Sequence, residues 1–133
     1  MQYIDIDADD KKLIDEAIAV IKRNYAEPRH TVGAAVLCAS RKIYTGVNIE
    51  SCGYGPCAEP IAIGAAISQG EREIVNIVGV VARENSFAVE SPCGNCRQLL
   101  FDYAPDCMVI IPHDNRVVKV RARELLPDAF SNF

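Results

Sequence analysis

Apolar residues recur along this chain with two different periods. Between Ala8 and about Asn24, Leu13, Ile14, Ala17, Ile18 and Ile21 follow at steps of three and four, with Tyr25 just beyond, which marks one face of an amphipathic helix. Acids (Asp7, Asp9, Asp10) stand at its start and Lys22 and Arg23 at its end, as the helix dipole favours. Thr31–Ala39 and Lys42–Ile49 are β-rich runs separated by Ser40-Arg41, the pattern of an antiparallel hairpin. The glycines and proline of Ser51-Cys52-Gly53-Tyr54-Gly55-Pro56 then interrupt the chain as a loop. Cys57–Gln69 is apolar on most sides and stops at Gly70, which predicts a buried helix. Ile74–Ala82, a nearly unbroken branched run, reads as a strand covered on both faces.

A further helix is expected from just after Pro92 to about Tyr103. Met108–Ile111 and Val117–Val120 are strands around the turn His113-Asp114-Asn115, and Arg121–Leu126 is a short helix ended by Pro127. The order α-β-β-α-β-α-β-β-α predicts an α/β fold, a three-layer α/β/α sandwich around a mixed five-stranded sheet. No repeat, low-complexity tract or linker divides residues 1–133, so one domain is expected.

Charge narrows the partners. Fourteen Lys and Arg against eighteen Asp and Glu leave a net charge of −4, with no basic run. Nucleic-acid and anionic-membrane binders draw their affinity from clustered cations, so neither class is expected. The opening MQYIDIDADD lacks the positive and apolar regions of a secretion signal, and runs such as Ile61–Ile67 are too short to span a bilayer. A soluble, cytoplasmic protein is the expectation. Six cysteines (Cys38, Cys52, Cys57, Cys93, Cys96 and Cys107) are therefore read as metal ligands or thiols before disulfides.

Two segments concentrate the chemistry: Pro56-Cys57-Ala58-Glu59 and Pro92-Cys93-Gly94-Asn95-Cys96-Arg97. If Cys93 opens a helix, Cys93 and Cys96 share one face, where unpaired backbone N–H groups favour thiolates. Cys57 holds the same place on the other helix, with Pro60 tolerated in its first turn. Two helix starts meeting at a sheet edge present three thiolates, which suit zinc. Three ligands leave a fourth position for a water of lowered pKa, the catalytic form of a zinc site. Arg97 and the helix N-termini are expected to offset the excess negative charge, and Glu59 to carry the water's proton onward.

Cys-x-x-Cys alone also fits a structural zinc or a redox dithiol, and a non-catalytic scaffold is the competing reading. Cys52, Cys38, Cys107, His30 and His113 are the available fourth ligands for a structural site. Of these, Cys38 and Cys107 read as buried strand cysteines and His113 as a surface residue.

Cys-Ala-Glu followed by Pro-Cys-x-x-Cys resembles the cytidine deaminase superfamily. His30–Ala35, Thr45–Glu50, Ser91–Leu99 and Leu125–Phe130 are similar to family segments in the same order, over about three-quarters of the chain. The resemblance implies hydrolysis of a free cytosine nucleoside to its uracil form with release of ammonia. It implies one zinc held by Cys57, Cys93 and Cys96, with Glu59 as proton carrier. Asn48, Glu50, His30 and Phe130 become the substrate residues, the assembly a homotetramer. Pro60 stands where three-cysteine members commonly have Arg, and His30 where an aromatic is usual. The short Gly-Tyr-Gly-Pro loop is similar to the blasticidin S deaminase branch, which makes a specialised aminopyrimidine the alternative substrate.

Overall fold

The computed structural model describes all of residues 1–133. β1 (Ile4–Asp5) precedes α1 (Ala8–Asn24), then the hairpin β2 (Val32–Cys38) and β3 (Ile43–Val47). After the loop come α2 (Ala58–Ser68), β4 (Ile74–Arg83), β5 (Ser86–Glu90) and α3 (Gly94–Tyr103). The hairpin β6 (Met108–His113) and β7 (Arg116–Arg121) leads into a 3-10 turn, Ala122–Leu125. The expected sandwich is present, but the sheet has seven strands in place of five. β1 is two residues long, below what periodicity can register. β5 is an edge strand whose residues are almost all exposed, so it lacks the buried alternation that betrays a strand.

The strand order is β1-β7-β6-β4-β2-β3. β4 is the hub. One edge pairs antiparallel with β2; the other is shared, parallel to β6 over Asn76–Val78 and antiparallel to β5 over Gly79–Arg83. The sheet thus splits after Val78, and the chain leaves β5 through Ser91-Pro92 straight into α3. A crevice at a point where strand connectivity changes is where open α/β sheets seat ligands.

α1 covers one face with Leu13 and Ala17 against Ala35, Leu37, Val78, Val80 and Ile110. The other face buries Ala58, Ala62 and Ile63 of α2 and Leu100 of α3 against Val36, Ile77, Val109, Val118 and Val120. α2 is less enclosed than its composition suggests: Ile61 and Ala65 are half-buried and Gly64 is exposed, so one apolar side stays open.

Small residues set how close the helices come. A Cβ on Gly33 would lie 2.4 Å from the Ala17 carbonyl oxygen, and one on Gly46 would lie 2.6 Å from the Ala62 backbone nitrogen. Both positions hold a helix against the sheet, and only glycine leaves room for it.

One polar cluster ties α1 to the sheet. Asp7 caps the helix in a reciprocal capping box with Asp10. Asp10, 2% exposed, also accepts from Asn76 Nδ2 and Lys119 Nζ, both at 2.7 Å. Removing one partner of a buried charged pair leaves the other unpaired, which typically costs about 3–5 kcal/mol. Asp10→Ala is therefore expected to lose about 3 kcal/mol or more of unfolding free energy, read from urea denaturation at neutral pH. A loss within experimental error would show that the cluster does not hold α1.

Candidate metal and active site

Cys57 is the N-cap of α2 and Cys93 the N-cap of α3, so each thiol stands at the positive end of a helix. Cys96, 1% exposed, lies in the first turn of α3. The Cys57–Cys93 and Cys93–Cys96 Sγ separations are both 3.5 Å, and all three sulfurs lie within 4.8 Å of one another. Tetrahedral zinc with sulfur at about 2.3 Å places its ligands about 3.8 Å apart, so the trio fits one such ion. Cys52 stays exposed on its loop outside the trio, and Cys38 and Cys107 are buried in the core. Burial, assisted by the charge of Asp106, pushes the Cys107 thiol up to about 12, as suits an inert core residue.

The three thiols differ electrically. Burial raises Cys57, with the adjacent Cys93 adding to it. Burial also dominates at Cys96, reinforced by the charge of Glu59, and holds this thiol far above its ordinary range. At Cys93 burial acts the same way but is outweighed by the backbone N–H groups of Cys96 and Asn95 and by the neighbouring thiols. Its pKa falls below the ordinary value. A divalent cation supplies the positive charge that three crowded thiolates otherwise lack.

Glu59, 7% exposed, lies in the first turn of α2 beside the trio. A Cβ on Gly79 would come within 2.9 Å of its Oε2, so β4 is bare where the carboxylate rests. Burial raises the Glu59 pKa, opposed by its own backbone N–H and the Cys96 thiol and assisted by the charge of Glu90. A carboxyl shifted upward in this way is suited to taking and returning a proton near neutral pH.

The cleft over the trio has a volume of about 310 Å³, and Val32, Asn48, Glu50, Cys57, Glu59, Glu90 and Cys93 are among its walls. Asn48, 5% exposed, accepts from the Thr31 and Val32 backbone N–H groups at 2.8 and 2.9 Å. Its Nδ2 donates to Glu50 Oε1 at 3.2 Å. β3 ends at Val47, so this bonding and not a strand ladder brings the two side chains together. His30 Nδ1 donates to the Asn48 carbonyl oxygen at 2.8 Å, which holds the ring beside the cleft without making it a wall residue.

Arg97 donates to the Pro92 and Leu125 carbonyl oxygens and to Ser91 Oγ, so it braces the segment entering α3. Phe130 lies apart from the cleft, 75% exposed, its carbonyl oxygen accepting from Gln98. Sequence reasoning missed Glu90 because β5, an exposed edge strand, leaves no alternation of buried and exposed residues to read.

Residues 7–111 match the family model for the cytidine and deoxycytidylate deaminase zinc-binding region. The chain is 38% identical over 134 residues to the blasticidin-S deaminase of Bacillus cereus, covering 96% of each protein. It is 35% identical to a cytidine deaminase of Halalkalibacterium halodurans, covering 92% of this chain and 95% of that one. The crystal structure of cytidine deaminase from Mycobacterium tuberculosis superposes with a TM-score of 0.76 at 31% identity, covering 95% of this chain and all of the other.

Fold, thiol trio and buried glutamate together define a zinc-dependent hydrolytic deaminase. The chain belongs to the cytidine and deoxycytidylate deaminase family. The family and cofactor expected from Cys-Ala-Glu and Pro-Cys-x-x-Cys are both borne out.

Metal analysis by mass spectrometry is expected to find one zinc per chain. Cys57→Ala, Cys93→Ala and Cys96→Ala should each hold little or none, whereas Cys38→Ala and Cys107→Ala should retain it. Loss of zinc from either core-cysteine variant would break the assignment.

Proposed function

We propose that this protein deaminates a free cytosine nucleoside, cytidine or deoxycytidine, to the uracil form with release of ammonia. The observation that carries the reading is the juxtaposition of Glu59 with Cys57 and Cys93 in one cleft, the buried Cys96 completing the thiol trio behind them, and the walls also include Asn48 and Glu50. Cys57, Cys93 and Cys96 would hold the zinc ion, whose Lewis acidity makes water nucleophilic at neutral pH. Glu59 accepts the proton of the attacking water and delivers it to ring N3 as the oxygen adds at C4. It then takes the remaining proton of the added hydroxyl and passes it to the amino group, which leaves as ammonia as the C4–N bond breaks and the C4 carbonyl forms.

Asn48 commits its oxygen to the backbone of β2 and one N–H to Glu50, leaving its second N–H for a substrate hydroxyl. Glu50 has a carboxylate oxygen free to accept from a second hydroxyl, so the pair can read a ribose. His30 fixes this arrangement from below, and Arg97 positions Cys93 through Pro92.

The 38% identity to a blasticidin-S deaminase over 96% of both proteins supports a second reading, a specialised aminopyrimidine carrying a different substituent. A turnover screen of cytidine, deoxycytidine, cytosine and blasticidin S separates the two. In the nucleoside reading, Glu59→Gln retains zinc and fold while turnover falls about 10²–10⁴-fold. Glu50→Ala raises KM more than it lowers kcat, and free cytosine is a poor substrate. Near wild-type turnover by Glu59→Gln would end the proposed mechanism; a preference for free cytosine would end the ribose reading.

The reading extends to assembly and location: residues 1–133 work as one domain of a cytoplasmic homotetramer. The open apolar side of α2 supports self-association, as does Phe130, which can reach a cleft only across a subunit boundary if it serves one. No helix is long and apolar enough to cross a membrane. Sedimentation at micromolar concentration is expected to give four chains per particle, and a monomer would contradict the tetramer.

A further inference from the structure

The register of the sheet explains why Glu90 faces the cleft. Gly46 of β3 lies opposite Ala34 of β2, Ala34 opposite Gly79 of β4, and Gly79 opposite Glu90 of β5. Residues directly opposite in antiparallel pairs point to the same face. The first three have little or no side chain, which is how α2 settles onto this row: Gly46 lies against Ala62 and Gly79 against Glu59. Glu90 is the fourth, and the first large side chain in that row. It rises beside the Glu59 carboxylate as a wall of the cleft.

Nothing in the protein answers its charge. Glu90 forms no ion pair, and no side chain donates a hydrogen bond to it. None of the nine cleft-lining residues is Lys, Arg or His. Two nearby guanidiniums are engaged elsewhere, Arg97 with Pro92, Leu125 and Ser91, and Arg29 with the Glu50 carbonyl oxygen. Glu59, 7% exposed and lining the same cleft, has only its own backbone N–H and the Cys96 thiol as partners and no cationic side chain. Zinc held by three thiolates still leaves that centre with one net negative charge, so the two neighbouring carboxylates repel each other, and the repulsion is relieved by a ligand that brings positive charge.

Position says which part of the ligand carries it. The strands that carry them to the cleft, β3 ahead of Glu50 and β5 ending in Glu90, lie three strand spacings apart, about 14 Å, so the two acids stand on opposite flanks. Glu50 and Asn48 form the sugar-side flank in the function proposed above, on which this step rests. Glu90 neighbours Glu59, the residue that serves the ring. We propose that Glu90 is a specificity-determining residue that selects substrates bearing a cationic group, an ammonium or amidinium, on the aminopyrimidine ring, and disfavours anionic ones there.

Binding of the deaminated products tests this without turnover. Titration calorimetry on the zinc-loaded protein compares 5-aminomethyluridine, cationic, with 5-hydroxymethyluridine, its neutral counterpart of similar size, and with anionic 5-carboxyuridine. The wild type is expected to bind the ammonium compound about tenfold more tightly than the neutral one, since charged hydrogen bonds exceed neutral ones by about that factor. The carboxylate should bind weakest, and the spread should shrink as salt is raised. In Glu90→Gln, nearly the same in size and shape, the cationic preference should fall to about unity, while in Glu50→Gln it should persist. An equal preference in wild type and Glu90→Gln, no preference in the wild type, or exclusion of all three ligands by a wild type that turns over cytidine would overturn the role of Glu90 alone. A wild type that neither turns over cytidine nor binds uridine would overturn the proposed function, and this inference with it.

Discussion

The close approach of α2 to the sheet is the constraint from which the site follows. Gly46 and Gly79 remove the side chains that would hold the helix away, and Ala34 between them adds only a methyl group. With the helix lowered, its N-terminal turn brings Cys57 within 3.5 Å of Cys93 and sets Glu59 against bare strand. A larger residue in that row would lift α2 and separate the two cysteine segments, although neither glycine touches the metal position. Metal geometry tolerates deviations of only a few tenths of an ångström, so backbone packing is here part of the coordination chemistry.

The split of β4 between two partners supplies the other half of the site. Up to Val78 the strand pairs with β6, and from Gly79 it pairs with β5. The divergence opens space for the N-terminus of α3, held by the three hydrogen bonds of Arg97 to Pro92, Leu125 and Ser91. Two helix N-termini then face one point, where their unpaired N–H groups favour negative charge. Arg97 serves this arrangement through the backbone and not by contact with sulfur. With Pro60 after Glu59, no arginine follows the Cys-Ala-Glu segment to help, so the helix ends and the metal carry the compensation.

The cleft is accordingly acidic. Glu50, Glu59 and Glu90 share it with Cys57 and Cys93, and no basic side chain lines it. Burial keeps Glu59 readier to hold a proton than an exposed glutamate, which suits the proton-carrying role proposed for it. The same absence of basic side chains makes the cleft walls a poor host for a phosphate, which would meet carboxylates where it needs donors.

Much of this was legible in the order of residues. The period-3.6 face of α1, the branched run of β4 and the Pro-Cys boundaries of α2 and α3 are local signals, and local signals survive without tertiary context. So are Cys57, Glu59, Cys93 and Cys96, because metal-binding chemistry demands particular residue types at the starts of particular elements. Glu90 was not legible: β5 is an exposed edge strand with little burial to imprint a pattern, and its register against Gly79 is a property of pairing. Nor was the behaviour of Asn48, whose oxygen is consumed by the backbone of a neighbouring strand, or the separation of Phe130 from the cleft. Sequence determined which chemistry this chain can carry. Tertiary structure decided which side chains reach it, because distance across a sheet depends on strand order and register, and neither is written in the spacing of residues along one strand.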